Sequence, residues 1–127
     1  MRKLMLALLV LVAACSSSAT GVIELVGAVE ANELLEGDVV VLDIRTPEEY
    51  AEGHIQGSLN IDFYGADFPD RIGALDADHA YLVYCRSGSR SAQAMSVFED
   101  LGFSEVFELE GGILTWVGEG LPLVTSG

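Results

Sequence analysis

One cysteine in the second half of the chain has the surroundings that a nucleophilic site needs. Cys85 directly follows the apolar run 81–84 and opens the segment Cys-Arg-Ser-Gly-Ser-Arg, after which residues 89–101 have the pattern of a helix. A strand that passes through a loop into a helix directs free backbone N–H groups, and the positive end of the helix dipole, at one point. These groups favour thiolate over thiol, so the pattern predicts a nucleophile at the centre of an anion-binding loop.

The residues after the nucleophile are expected to form the walls of this loop. Backbone N–H groups for a bound anion are predicted from five residues: Arg86, Ser87, Gly88, Ser89 and Arg90. Gly88 is expected to adopt a φ angle that other residues resist. Arg86 is expected to project outward and steer a substrate. Arg90 has two open interpretations: it contacts the loop or an anionic donor, or it pairs with a nearby carboxylate.

Short apolar runs alternate with helix-like segments, and these elements must position the loop. Strands are expected at residues 22–25, 39–42, 59–61, 81–84 and 106–109, and helices at residues 31–35, 47–52, 67–75, 89–101 and 113–118. Thr46 and Pro47 have the residue types of an N-cap and a first helical turn. The alternation predicts an α/β fold with a small parallel sheet and helices on both faces. Sites in such sheets lie beyond the carboxyl ends of strands, where Cys85 and Asp43 both fall.

Three motifs in this order resemble the signatures of single-domain rhodaneses, the persulfide-forming sulfurtransferases. Residues 43–50 read Asp-Ile-Arg-Thr-Pro-Glu-Glu-Tyr, followed by Gly-His-Ile-Gln-Gly-Ser at 53–58, the cysteine loop, and Gly-Gly-Ile-Leu-Thr-Trp at 111–116. The likeness covers residues 22–122, with Gln56 where the family often has proline. The resemblance implies a rhodanese-like fold and a sulfurtransferase that holds a persulfide on Cys85. It also implies a small sulfur-containing anion such as thiosulfate as donor, a thiol or cyanide as acceptor, and no cofactor.

The length of the loop favours sulfur over phosphate. Four residues separate Cys85 from Arg90, whereas the similar loop of cysteine phosphatases has five and surrounds a phosphate. Two other functions stay open: a persulfide carrier or sulfur-delivery module with little turnover of its own, and a thiol-redox or phosphatase-like activity. No metal site is expected, because two histidines and one free thiol do not have ligand spacing.

Two residues at the end of the second strand are expected to support the site rather than to react. Asp43 and Arg45 resemble the aspartate–arginine pair of the family, which implies a mostly structural role. Arg45 is predicted to pair with Glu49, four residues later. Glu108 and Glu110, two apart on the fifth strand, are expected to form a solvated edge of the sheet.

The start of the chain is typical of an export signal. Two basic residues precede an apolar run, Leu4–Ala14, that is too short to span a bilayer. Residues 12–15, Val-Ala-Ala-Cys, resemble a bacterial lipobox. This predicts a signal peptide over residues 1–14, acylation of Cys15, a tether over residues 15–20 and a rhodanese-like domain over residues 21–124. An ordinary signal peptide cut near Ala14 or Ala19 is the alternative.

The predicted location is the bacterial cell envelope. Ser16 follows the acylated cysteine where an aspartate commonly marks inner-membrane retention, so the expected position is the outer membrane, facing the periplasm. Cys85 would then be the only free thiol of the mature chain and could form no internal disulfide. An unpaired cysteine in an exported protein indicates reactivity.

Acidic side chains dominate the chain after the signal. The sequence has 20 acidic and 6 basic residues. Loss of the two basic residues of the signal leaves four basic residues against 20 acidic ones, which is a net charge of −16. Such a surface repels nucleic acid and anionic lipid headgroups. We therefore expect no nucleic-acid binding, and membrane attachment through the lipid anchor only.

Overall fold

The computed structural model describes residues 21–126 and contains five strands: β1 (Val22–Val26), β2 (Val39–Asp43), β3 (Leu59–Asn60), β4 (Ala80–Tyr84) and β5 (Glu105–Leu109). They form a fully parallel sheet in the order β1-β5-β4-β2-β3. The predicted α/β fold with a parallel sheet is confirmed. The predictions for the signal peptide, Cys15 and the tether lie outside the described residues.

The register of the central strands fixes the position of the cysteine loop. β4 lies between β5 and β2, and Asp43 at the end of β2 is level with Tyr84 at the end of β4. β2 reads Val-Val-Val-Leu-Asp and β4 reads Ala-Tyr-Leu-Val-Tyr, and the residues in the second half of both strands are buried on both faces, as is typical of parallel strands. Cys85 therefore leaves the sheet beside Asp43, at the carboxyl edge.

Four helices connect the strands, α1 (Ala28–Leu34), α2 (Pro47–Glu52), α3 (Phe68–Gly73) and α4 (Ser89–Asp100), and α5 (Gly112–Gly118) follows β5. On one face of the sheet, α3 and α4 contribute Phe68, Ile72 and Phe98 to a buried cluster. On the other face, α1 and α5 contribute Ala31 and Trp116 to a second cluster. Helices therefore cover both faces, as predicted.

The boundaries of the helices agree with the capping signals in the sequence. Thr46 is the N-cap of α2, its hydroxyl accepts from Glu49 N, and the Glu49 carboxylate accepts from Thr46 N in return. Helix α1 begins at Ala28, three residues before the predicted start, because Gly27 is already its N-cap and accepts from Ala31 N. No helix within residues 21–126 is both long and apolar enough to cross a membrane.

The prediction of a solvated edge at Glu108 is wrong. β5 is an inner strand between β1 and β4 and packs against α4, and the Glu108 side chain is buried, while Glu110, which follows the strand, stays exposed. Burial raises the pKa of the Glu108 carboxyl above its usual range. The alternation of glutamates alone does not distinguish an edge strand from an inner one.

Candidate active site

Cys85 lies at the base of the loop between β4 and α4, with 1% of its surface exposed. Its sulfur accepts a hydrogen bond from the backbone N–H of Gly88, with 3.1 Å between N and Sγ. The Cys85 thiol lies 3.7 Å from the hydroxyl oxygen of the buried Ser91, which accepts from it, and the Ser91 hydroxyl donates to Gly88 O at 3.1 Å. A main-chain donor and a side-chain hydroxyl thus converge on the sulfur.

The first turn of α4 directs its free amides at the same loop. The N-cap is Gly88, which supplies no side-chain hydrogen bond, so the N–H groups of Ser89, Arg90 and Ser91 have no acceptor within the helix. Gly88 has a φ of 100°, the left-handed conformation predicted for it. The loop therefore combines a sulfur atom with unpaired donors and the positive end of a 12-residue helix.

The start of α5 packs directly against the backbone of the loop. Ile113 N donates to Cys85 O at 2.9 Å and Leu114 N donates to Arg86 O at 3.2 Å. A Cβ atom at Gly112 would lie 2.5 Å from Arg86 O, and Gly112 has a φ of 62°, so only glycine fits here. The Gly-Gly of the third motif thus brings α5 close enough to fix the carbonyl groups of the loop.

Arg90 pairs with a carboxylate, the second of its two predicted roles. Its guanidinium makes two hydrogen bonds to Glu49, of 2.7 Å and 2.9 Å, and lies 5.4 Å from the centre of the exposed Tyr64 ring. The hydrogen bonds from Arg90 lower the pKa of the Glu49 carboxyl to about 2. The prediction that Arg45 pairs with Glu49 is wrong, because the Glu49 carboxylate pairs with Arg90 in the first turn of α4 instead.

Arg45 is instead part of a buried network at the end of β2. Its Nε and Nη2 donate to both oxygens of Asp43, with the shortest distance 2.6 Å, and Nη2 also donates to Gly53 O at 2.7 Å. The Tyr84 hydroxyl donates to Asp43 Oδ2 at 2.7 Å and accepts from Ile55 N at 3.1 Å. Asp43 and Arg45 therefore bind neighbouring loops together, next to the end of β4 that precedes Cys85.

Two residues of the site were not identified from the sequence. Tyr84 faces away from Cys85 and joins the Asp43 network, and burial raises the pKa of its hydroxyl above the usual range. Ser91 contacts the cysteine sulfur itself. A signal for Ser91 was present, since a serine three residues after the N-cap Gly88 points back toward the loop that precedes the helix.

The other loop residues lie at the surface. Arg86, Ser87 and Ser89 are exposed, and within residues 21–126 Arg86 forms no ion pair. The exposed Glu48 precedes Glu49, the partner of Arg90, and the exposed Glu110 precedes Gly111, whose backbone lies close to Gly88. Of the two arginines of the loop segment, Arg86 is thus the one without an ion pair in the described chain.

The described part of the chain holds no cluster of three or more side chains able to bind a metal ion. His54, near the end of β2, is buried, its Nδ1 lies 2.8 Å from Tyr50 O, and its ring stacks on Tyr50. It packs against the C-terminal segment, since its backbone pairs with Val124. The arrangement can therefore bind an anion and present one nucleophile, without a second reactive group beside it.

Comparison with known proteins agrees with this geometry. Residues 27–119 match the Rhodanese-like domain family. A sulfurtransferase from Allochromatium vinosum is 40% identical over 87 residues, which cover 68% of this chain and 79% of that protein. The thiosulfate sulfurtransferase GlpE of Stutzerimonas stutzeri is 39% identical over 87 residues, 68% of this chain and 78% of that protein.

The fold is also similar to a solved structure. The crystal structure of a rhodanese-related protein from Thermoplasma volcanium superimposes with a TM-score of 0.73 at 33% identity, and the match covers 81% of this chain and 99% of that one. Family match, relatives and fold therefore agree over the same region. The chain belongs to the rhodanese-like family, in which the relatives named here are sulfurtransferases.

Proposed function

We propose that the chain is a rhodanese-type sulfurtransferase that carries a sulfane sulfur on Cys85. The donor is an anion such as thiosulfate, and the acceptor is a thiol or cyanide. One observation carries the proposal: the Cys85 sulfur lies where the Gly88 N–H and the uncapped first turn of α4 converge. Relatives of about 40% identity that are named sulfurtransferases support the same chemistry.

The proposed reaction has two steps that share a covalent intermediate. In the first, the Cys85 thiolate attacks the outer sulfur of thiosulfate, the sulfur–sulfur bond of the donor breaks, and its electron pair leaves with sulfite. In the second, the acceptor attacks the outer sulfur of the persulfide and the Cys85 thiolate leaves. Ping-pong kinetics follow from this order, and no cofactor is needed.

The loop supplies electrostatic stabilisation rather than proton transfer. The outer sulfur of the persulfide bears negative charge, and the amides of Ser89 and Arg90 are free to donate to it. Only four residues separate Cys85 from Arg90, so the loop fits around one sulfur more closely than around a phosphate.

A persulfide carrier with slow turnover is the second candidate function. It is favoured by the bidentate pairing of Arg90 with Glu49, which leaves Arg86 as the unpaired arginine for a dianionic donor. Exposed carboxylates at Glu48 and Glu110 oppose such a donor. Rapid steady turnover with thiosulfate and cyanide would favour the enzyme, and stoichiometric loading with poor turnover would favour the carrier.

Intact-mass measurement of the purified protein tests the chemistry. Thiosulfate should add about 32 Da, one sulfur atom, and cyanide should remove it. Cys85→Ser should keep the fold, measured by circular dichroism, and lose both the mass gain and the turnover. Retained sulfur transfer in Cys85→Ser, or hydrolysis of an aryl phosphate without a mass gain from thiosulfate, would contradict the proposal.

We propose further that the domain is anchored to the periplasmic side of the outer membrane through an acylated Cys15. The described chain begins next to β1, whose first residue Val22 pairs with Ser104 at the amino edge of the sheet. Cys85 leaves the opposite, carboxyl edge. Strands of five residues span about 17 Å, so an anchor at the start would leave the site accessible.

Cell fractionation tests the anchor. Two or three acyl chains hold a protein stably on a membrane, with about 0.8 kcal/mol for each buried CH₂ group. The wild-type protein should therefore fractionate with membranes, and Cys15→Ala should move it to the soluble fraction. A wild-type protein that is soluble in the periplasm and carries no lipid would contradict the anchor.

A further inference from the structure

An apolar groove of about 290 Å³ runs along α5 and the C-terminal segment. Its walls include Leu114, Val117 and Leu123, whose side chains are 49%, 52% and 36% exposed. Single exposed aliphatic residues are common on protein surfaces, but three on the walls of one cavity form a continuous patch. The packing of the domain does not use this patch.

The groove lies next to the backbone of the cysteine loop. Leu114 N donates to Arg86 O, and Ile113, which also lines the groove, donates through its N–H to Cys85 O. Two residues that line the groove are therefore bonded directly to Cys85 and to the residue that follows it. A partner segment bound in the groove would lie beside the loop that carries Cys85.

The charges at the groove are negative. Glu52 lines it, and Glu48 lies one turn earlier on the same side of α2. Among the described residues neither glutamate forms an ion pair. Arg45, the cation at the groove, is buried and bound to Asp43. A basic partner is thus favoured here, and an acidic one is repelled.

We propose that this groove docks the sulfur acceptor, a cysteine carried by a partner protein on a segment with flanking aliphatic and basic side chains. This rests on the proposed function, because the acceptor must meet the persulfide of Cys85. The acceptor thiolate attacks the outer sulfur, a new sulfur–sulfur bond forms on the acceptor, and the old bond breaks with its electron pair on Cys85. No external oxidant or reductant takes part.

Synthetic pentapeptides test the acceptor class. The protein is loaded with thiosulfate and desalted, and its discharge is timed by intact mass with acetylated, amidated Lys-Leu-Cys-Leu-Lys. In the two comparison peptides, glutamates replace both lysines or serines replace both leucines. At low salt the first peptide should react about tenfold faster than either, and added salt should reduce only its advantage over the glutamate peptide. Equal rates for the three peptides would overturn the proposal.

Variants of the groove locate the effect. Val117→Ser and Glu52→Gln should each slow discharge by the lysine–leucine peptide about threefold to fivefold, and should leave discharge by cyanide unchanged because cyanide is too small to occupy the groove. The matched control is Val29→Ser on α1, 57% exposed and outside the groove, which should change neither rate. Equal losses in Val117→Ser and Val29→Ser would overturn the proposal.

A binding measurement separates this inference from the proposed chemistry. A fluorescent Lys-Leu-Ser-Leu-Lys peptide, which cannot accept sulfur, should bind the sulfur-free protein, and Glu52→Gln and Val117→Ser should weaken it severalfold. Loss of the persulfide chemistry with this binding intact would sink the proposed function alone. Normal loading and cyanide discharge without any preference among the peptides would sink the docking site alone.

Discussion

The carboxyl ends of β2 and β4 lie side by side at the same level of the sheet, yet they differ in how many of their polar groups have hydrogen-bond partners. Asp43, at the end of β2, accepts hydrogen bonds from Arg45 and Tyr84 on both carboxylate oxygens. Cys85, at the end of β4, accepts one main-chain hydrogen bond and is followed by a helical turn whose amides have no partner within the helix.

This difference shows how a small domain can keep backbone amides available for a ligand. Free amides at the start of a helix favour a bound anion only if rigid neighbours hold them in place. The saturated network of Asp43 is the rigid neighbour, since it joins the end of β2 to Gly53, Ile55 and Tyr84. The amides that remain available therefore follow β4, and the network that supports them lies at the end of β2.

Loss of charge at Asp43 should have the largest effect. Asp43→Asn keeps the shape of the side chain but leaves the buried Arg45 guanidinium without its counter-charge, which costs about 3–5 kcal/mol of unfolding free energy. Urea unfolding measures the loss. The control is Glu110→Gln, an exposed carboxylate near the same edge, with an expected change of about 0.5 kcal/mol or less. Equal costs for the two variants would show that the end of β2 gives no special support.

A longer loop should slow the reaction at Cys85, after the end of β4, without a comparable loss of unfolding free energy. One glycine inserted after Gly88 moves its N–H away from Sγ and changes the contact with Gly111, so persulfide formation should slow about tenfold or more. One glycine inserted after Gly102, in an exposed turn that has open space around it, is the matched control. Single-turnover mass measurements compare the two variants. Unchanged sulfur uptake in the first variant would show that the length of the loop does not determine its preference for sulfur.

Removal of the Ser91 hydroxyl should have a smaller effect on the same site. Ser91→Ala removes a hydroxyl that lies 3.7 Å from the cysteine sulfur and donates to Gly88 O, so the loop loses a contact that fixes it around Sγ. The rate of persulfide formation should fall about threefold to tenfold, equivalent to about 1 kcal/mol. Ser87→Ala, which removes an exposed hydroxyl from the same loop, should leave the rate within about twofold. A comparable decrease in both variants would assign the effect to the loop as a whole rather than to Ser91.

The sequence predicts most of the fold because its elements are marked by local signals. Thr46 and Pro47 indicate the start of α2, and the valines of residues 39–41 indicate a buried strand; both predictions are confirmed. The position of Gly88 and its positive φ follow from the same local chemistry. The parallel arrangement also follows, because the strands alternate with helices.

Contacts between distant segments were the part that the sequence could not supply. The spacing of Arg45 and Glu49 predicts a pair within one segment, but Glu49 bonds Arg90, 41 residues away. The burial of Glu108 depends on which strand lies at the edge of the sheet, which the order β1-β5-β4-β2-β3 decides. Such contacts arise from strand order, and no local pattern encodes them.

The smallest effect is expected from the pairing of Glu49 with Arg90. This pair joins the segment after β2, which contains Glu49, to the segment after β4, which contains Arg90. In the folded protein the pKa of Glu49 is lowered from its usual 4.5 to about 2. The pair therefore stabilises the fold fully above about pH 4.5, and this stabilisation is lost as the pH falls toward about 2. Both side chains are partly exposed, so it should amount to only about 1 kcal/mol.

Urea unfolding of Glu49→Gln at several pH values measures this contribution. The variant should be less stable than the wild type at pH 7, and the difference in unfolding free energy should shrink as the pH falls, since protonated Glu49 no longer attracts Arg90. Glu48→Gln, the neighbouring exposed carboxylate without an ion pair in the described chain, is the control and should show little difference at any pH. A Glu49→Gln difference that is as large near pH 2.5 as at pH 7 would mean that shape, rather than charge, joins the end of β2 to the loop of β4.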